Sequence, residues 1–155
     1  MNYTAKSLAR YVSVQAIYQK IESGNSFDEV MNQFSQENFK KIYFSFENFR
    51  EISEIKIDRS YFEKIFKEYA NEEEKILELI KINTSENWTF SRLPSVLIAI
   101  LISAISEMKI SPSLSLGVLA SEYIILTEAF FLKNESSFVN ALISKIYKSK
   151  ILHDK

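Results

Sequence analysis

The side chains that carry most protein chemistry are nearly missing from this chain. It has no cysteine, which removes thiolate zinc sites, disulfides and a cysteine nucleophile from consideration. Its single histidine, His153, stands two residues from the C-terminus. Histidine metal sites and Ser-His-Asp triads are therefore not expected. The only two glycines, Gly24 and Gly117, stand far apart, so neither the dinucleotide-binding nor the P-loop glycine pattern occurs along the chain. The acid run Glu72-Glu73-Glu74 is read as a solvated helix face. No catalytic constellation, metal or cofactor is expected, and the chemistry left is that of recognition.

Charge is unevenly placed. The net charge is -1, yet residues 1–21 hold Lys6, Arg10 and Lys20 with no acid. Residues 132–155 hold Lys133, Lys145, Lys148, Lys150 and Lys155 against Glu135 and Asp154. The ends are thus +3 each and residues 22–131 carry -7. A fold that brings the ends together would offer a polyanion one basic face. Solvated basic termini without a ligand are the plainer alternative.

These residues need elements to position them. A chain of 155 residues, 46% of them hydrophobic, is one globular domain with a real core. The scarcity of glycine and proline argues against an all-β sandwich or barrel. A first helix is predicted from about Thr4 to Ser23, stopped by Gly24-Asn25. Its apolar residues fall on two faces, one with Leu8, Val12 and Ala16, the other with Tyr11, Val14, Ile17 and Tyr18. A narrow stripe of Lys6, Arg10, Ser13 and Lys20 lies between them and is expected to reach solvent. Such a helix packs on both sides.

Ser26 to Glu29 has the spacing of a capping box. Phe39, Tyr43, Phe46 and Phe49 are spaced for another helix, although residues 41–46 also read as a strand. A second capping box is expected at Ser60 to Glu63, opening a helix to about Lys81 with a charged interruption at residues 71–75. The polar break at residues 83–91 divides an N-terminal helical half, residues 1–82, from a C-terminal one, residues 88–150. Pro94 suits the first turn of an apolar helix running to about Met108. Its core, Leu93 to Ile105, is too short for a membrane span and is followed at once by Glu107 and Lys109. It is read as the buried centre of a bundle. Helices over about 115–131 and 136–149 complete the chain, with a polar turn at Lys133 to Ser137. No secretory signal is seen at the N-terminus, and the lack of cysteine fits the cytoplasm.

Four segments carry a family resemblance. Ala9-Arg10 with Val14-Gln15-Ala16-Ile17-Tyr18 looks like an "AR…VQALY" first helix. Asn87-Trp88 with Ser91-Arg92-Leu93-Pro94 is similar to an "NW…RL" linker. Ala99-Ile100-Leu101 with Ala104, Glu107 and Met108 resembles an "AILRLALYEL" helix. Glu122-Tyr123 followed by Phe138-Val139-Asn140 looks like an "NE…LAK…FVN" end. Taken in order, over nearly the whole chain, they resemble the NusB family of bacterial transcription antitermination factors.

The resemblance implies an all-α bundle of two packed subdomains sharing the first helix. It implies a non-enzymatic protein that binds single-stranded boxA-type RNA together with a small-subunit ribosomal protein, NusE. The setting is the transcription elongation complex over ribosomal RNA operons. Lys6 and Arg10 match basic positions of the family's arginine-rich motif, whose planar forks suit phosphate. Ser7 and Leu8 stand where arginines are usual, so about two phosphate contacts replace four and salt dependence should weaken. Phe138 and Asn140 match the FVN motif, where a ring stacks on a base and an amide reads a base edge. Lys133 adds a phosphate contact nearby. Tyr18, Arg92 and Leu97 fall in the partner-binding region.

Leu97, Ile98 and Ile102 replace charged residues of the family pattern, which predicts either an altered ribosomal partner or an apolar surface buried otherwise, for instance in a homodimer. The blander readings stay open. Phe138 and Tyr18 are also read as core aromatics, Arg10 as a salt-bridged surface residue and Asn140 as a helix cap or cross-link. Trp88 is read as a linker anchor. A helical interaction or dimerisation module with weak or lost RNA affinity is the alternative function.

Overall fold

The computed structural model describes residues 4–34 and 57–153, with side chains to residue 149. Among them are six α-helices, two short 3-10 turns and no strand. The expected aromatic helix around Phe39, Tyr43, Phe46 and Phe49 lies outside the described residues.

Helix α1 spans Ala5–Ser23. Thr4 caps its start by accepting from the Ser7 amide, and Gly24 ends it at φ 71°, the left-handed conformation glycine adopts without a Cβ clash. Helix α2, Phe27–Gln33, opens on the expected capping box, with Ser26 and Glu29 each bonding the other's backbone. Helix α3, Arg59–Asn83, starts earlier than the Ser60 box predicts, because the Asp58 carboxylate accepts from the Tyr61 amide and takes the cap position. It bends at Glu72, where φ is -126° and ψ 27°. That is the charged interruption, where few apolar groups hold the helix to the core.

Two 3-10 turns, Glu86–Trp88 and Phe90–Arg92, lead to α4, Ser95–Ile110. Pro94 sits one position before the first turn, in extended backbone, where its missing N–H is no loss. Helix α5 spans Leu116–Phe130 and α6 spans Lys133–His153. The expected polar turn at Lys133 to Ser137 is therefore the first turn of α6. Its acid, Glu135, favours the positive end of the helix.

Helix α4 is the hub. It packs on α1, α3, α5 and α6, and Leu97 and every residue from Ala99 to Met108 are buried. That explains an apolar helix with no polar face. No single helix among the described residues is long and apolar enough to cross a membrane.

This burial corrects one expectation. Leu97 and Ile102 are fully buried and Ile98 is half-buried, so they form core and not an exposed apolar surface. Burying an aliphatic side chain of this size is worth about 1.5–3 kcal/mol, reason enough for apolar residues there. A homodimer expected to cover that surface loses its footing.

Helix α1 touches both sides of the bundle. It packs on α2, α3 and α4. Ser7 and Arg10 also reach Glu122 on α5, and Tyr11 stacks on Phe130 at 6.2 Å. The bridging role predicted from its two apolar faces is what the structure shows.

Candidate nucleic-acid interface

Where α1, α3, α4 and α5 meet, a buried polar cluster surrounds Glu107, whose exposure is 0%. Arg10 grips it in a fork, with Nε at 2.8 and 3.0 Å and Nη2 at 2.8 Å from the two carboxylate oxygens. Arg10 Nη1 lies 3.4 Å from Glu122. The Tyr61 and Tyr123 hydroxyls also donate to Glu107, and Tyr123 meets Ser103 at 2.8 Å. Every element of the cluster is thereby hydrogen-bonded, the condition for a charge to sit in a core.

Titration follows this geometry. Burial works to lower the Arg10 pKa, but its bonds to Glu107 outweigh that and hold it above the ordinary arginine value. Burial, helped by the bond to Glu107, pushes the Tyr61 phenol up to about 12. Tyr123, fully buried beside Glu107, is raised well above the ordinary tyrosine value.

Arg10 is therefore not part of a solvent-facing stripe. It is 3% exposed and Ser13 is 0% exposed. The expectation that both reach solvent is corrected, and the reason is Glu107: a lone acid in an apolar helix needs a buried partner. Of that stripe, Lys6 is exposed, its Nζ 4.9 Å from the Tyr61 ring. Lys20 is half-exposed, over the Phe27 ring.

The second group of predicted residues lies on α6. Lys133 and Asn140 are exposed and, seven positions apart, share a face. Phe138 points about 160° away from Asn140 on the helix. It is half-buried and stacks on Trp88, with ring centroids 4.6 Å apart and planes 16° from parallel. These rings line an open groove together with Asn83, Asn134, Ser137 and Lys145.

The contacts place the two basic ends of the chain relative to each other. Tyr61 bonds Ser111, and Tyr147 of α6 donates to the Leu114 carbonyl three residues on. Lys6 over Tyr61 and the later turns of α6 are thus at the same end of the bundle. Phe138 and Trp88 are beside Asn83, roughly 33 Å of α3 away from Tyr61. Lys6 and Phe138 therefore do not form one compact patch. Of the partner-region residues, Tyr18 is 39% exposed, Arg92 is exposed and Leu97 is buried.

Two parts of this arrangement were not anticipated. The partnership of Arg10 with Glu107 was signalled only by the isolated acid in α4. The groove was signalled by spacing, since Asn134, Ser137, Phe138, Ala141 and Lys145 recur at helical intervals on one face. Nothing in the sequence pointed to Trp88 as the partner of Phe138.

The described residues form an all-helical bundle with an aromatic groove edged by a lysine. Residues 7–148 match the NusB family, and the chain belongs to it. Members of this family are antitermination factors and not enzymes. The chain is 28% identical, over 148 residues, to the transcription antitermination protein NusB of Allorhizobium ampelinum, covering 92% of this chain and 86% of that one. Identity and coverage are the same for the NusB protein of Sinorhizobium fredii. The fold is similar to T. maritima NusB, with a TM-score of 0.69 at 17% identity over 96% of this chain and 93% of that one. It is also similar to a chain in the crystal structure of a plectonemic RNA supercoil, with a TM-score of 0.71 at 21% identity over 94% and 95% of the two chains.

Proposed function

We propose that this protein binds single-stranded, boxA-type RNA together with the small-subunit ribosomal protein NusE and supports antitermination in the cytoplasm. The observation that carries the reading is family membership across residues 7–148. Exposed Lys6, Lys133 and Asn140, and the Phe138 ring at the groove, support it. In this reading the lysines meet phosphates, Phe138 stacks on a base and Asn140 reads a base edge. Tyr18 and Arg92 are offered to the ribosomal partner. Arg10 acts from within, holding α1 against α4 and α5 so that Lys6 is presented, and makes no phosphate contact itself.

The test is binding of boxA-type single-stranded RNA with the ribosomal protein present and absent. The expected result is tighter binding with the partner, weakening as salt rises. No gain from the partner at any salt would overturn the cooperative reading. A helical interaction module without RNA affinity is the second reading, favoured by the burial of Arg10, which takes one cation of α1 away from solvent. It predicts partner binding that RNA leaves unchanged.

A further inference from the structure

The groove beside Trp88 is the strongest feature that the reading above does not fully use. Trp88 and Phe138 form a nearly parallel pair, both half-buried, that leaves ring surface in the groove. Lys145, exposed, is the single charged residue of its lining, which holds no carboxylate. That is notable in a chain with 20 acids against 19 lysines and arginines. A second surface depression is lined by Glu74 and Glu78 as well as Lys75 and Lys109, and offers no such bias. Asn83 donates one N–H to the Leu79 carbonyl at 2.8 Å and keeps its own carbonyl oxygen as an acceptor.

We infer that this groove is a nucleotide subsite in which an RNA base extends the Trp88–Phe138 stack and Lys145 holds the adjoining phosphate. The inference rests on the RNA-binding reading and assigns Trp88 and Lys145 to it. Three physical points meet here. An aromatic pair already stacked presents a rigid apolar plane that needs no ordering on binding. Every base has a π-face, so such a platform accepts a strand without demanding one sequence. A lysine with no acid among its groove neighbours is a point charge suited to phosphate. Phe138 belongs both to this pair and to the residues proposed to meet RNA, while Lys133 and Asn140 lie on the other face of α6.

Trp88 is the only tryptophan in the chain, so its fluorescence reports this site alone. The experiment titrates the full chain with single-stranded oligoadenylate RNA. It follows tryptophan emission and, in parallel, the anisotropy of a labelled copy of the same RNA. Both signals should follow one isotherm, with emission quenched. A strand of equal length carrying abasic sugars should bind without quenching. Trp88→Leu should weaken binding about tenfold. Lys145→Gln, which leaves the aromatic pair intact, should lower the slope of log affinity against log salt by about 0.7.

Binding seen by anisotropy with unchanged emission would overturn the subsite and leave the RNA-binding reading standing. Quenching by the abasic strand would overturn stacking, and an unchanged salt slope in Lys145→Gln would overturn its phosphate role. Absence of binding, with the ribosomal partner present or absent, would overturn the RNA-binding reading and this subsite with it.

Discussion

Glu107 governs how Arg10 should be understood. Removing one member of a buried, hydrogen-bonded pair leaves the other charge uncompensated, at a cost of about 3–5 kcal/mol. Arg10→Ala should therefore lower stability by that amount in urea unfolding. A surface arginine serving only RNA would lose affinity with stability unchanged, so a Cm equal to that of the parent protein would refute the buried role. The tyrosines around Glu107 add a pH dependence. Tyr61 titrates at about 12 in the folded protein against an ordinary 10.0, so the folded state favours the neutral phenol. Its contribution is complete below pH 10 and is lost as pH rises through about 12. The melting temperature should fall across that window, and Tyr61→Phe should flatten the fall.

The helices show where local rules were sufficient. Thr4, Ser26 and Gly24 act as caps as their residue types predict. Gly24 has open space around its missing Cβ, so Gly24→Ala meets no clash and costs only the strain of a positive φ, about 1–2 kcal/mol. Thermal unfolding followed by circular dichroism checks this. A neutral outcome would mean that α1 can end without a left-handed residue. The start of α3 was misplaced because two cap candidates, Asp58 and Ser60, stand close together. The choice falls to the one whose backbone is also tied down, and the Asp58 amide donates to the Ala5 carbonyl of α1. That is a contact between distant parts of the chain.

At the scale of the molecule, the lysines proposed to meet RNA are spread along the bundle and not gathered at one spot. Lys6 is at one end, and Lys133 lies in the first turn of α6, with Phe138 beside Asn83. A single-stranded ligand would have to run between them. In single-stranded RNA each phosphate contact contributes about 0.7 to the salt slope. Lys6→Gln and Lys133→Gln should each reduce that slope by about 0.7, and the double variant by about twice as much. Sub-additive slopes would show that one strand does not engage both ends together.

Helix content, the central position of α4, the bridging character of α1 and the family itself were legible in the chain, because they depend on periodicity, composition and short-range caps. The fates of Arg10, Leu97 and Phe138 were not. Each is a residue whose type fits both a surface role and a buried one. Arginine is drawn into a core when an acid awaits it, leucine follows whichever face is covered, and phenylalanine stacks where another ring is delivered. The acid is 97 residues from Arg10 in the sequence, and helices α4 and α5 separate Trp88 from Phe138 along the chain. Only packing brings such partners within hydrogen-bond or stacking distance, and that choice between surface and interior is made by the tertiary structure.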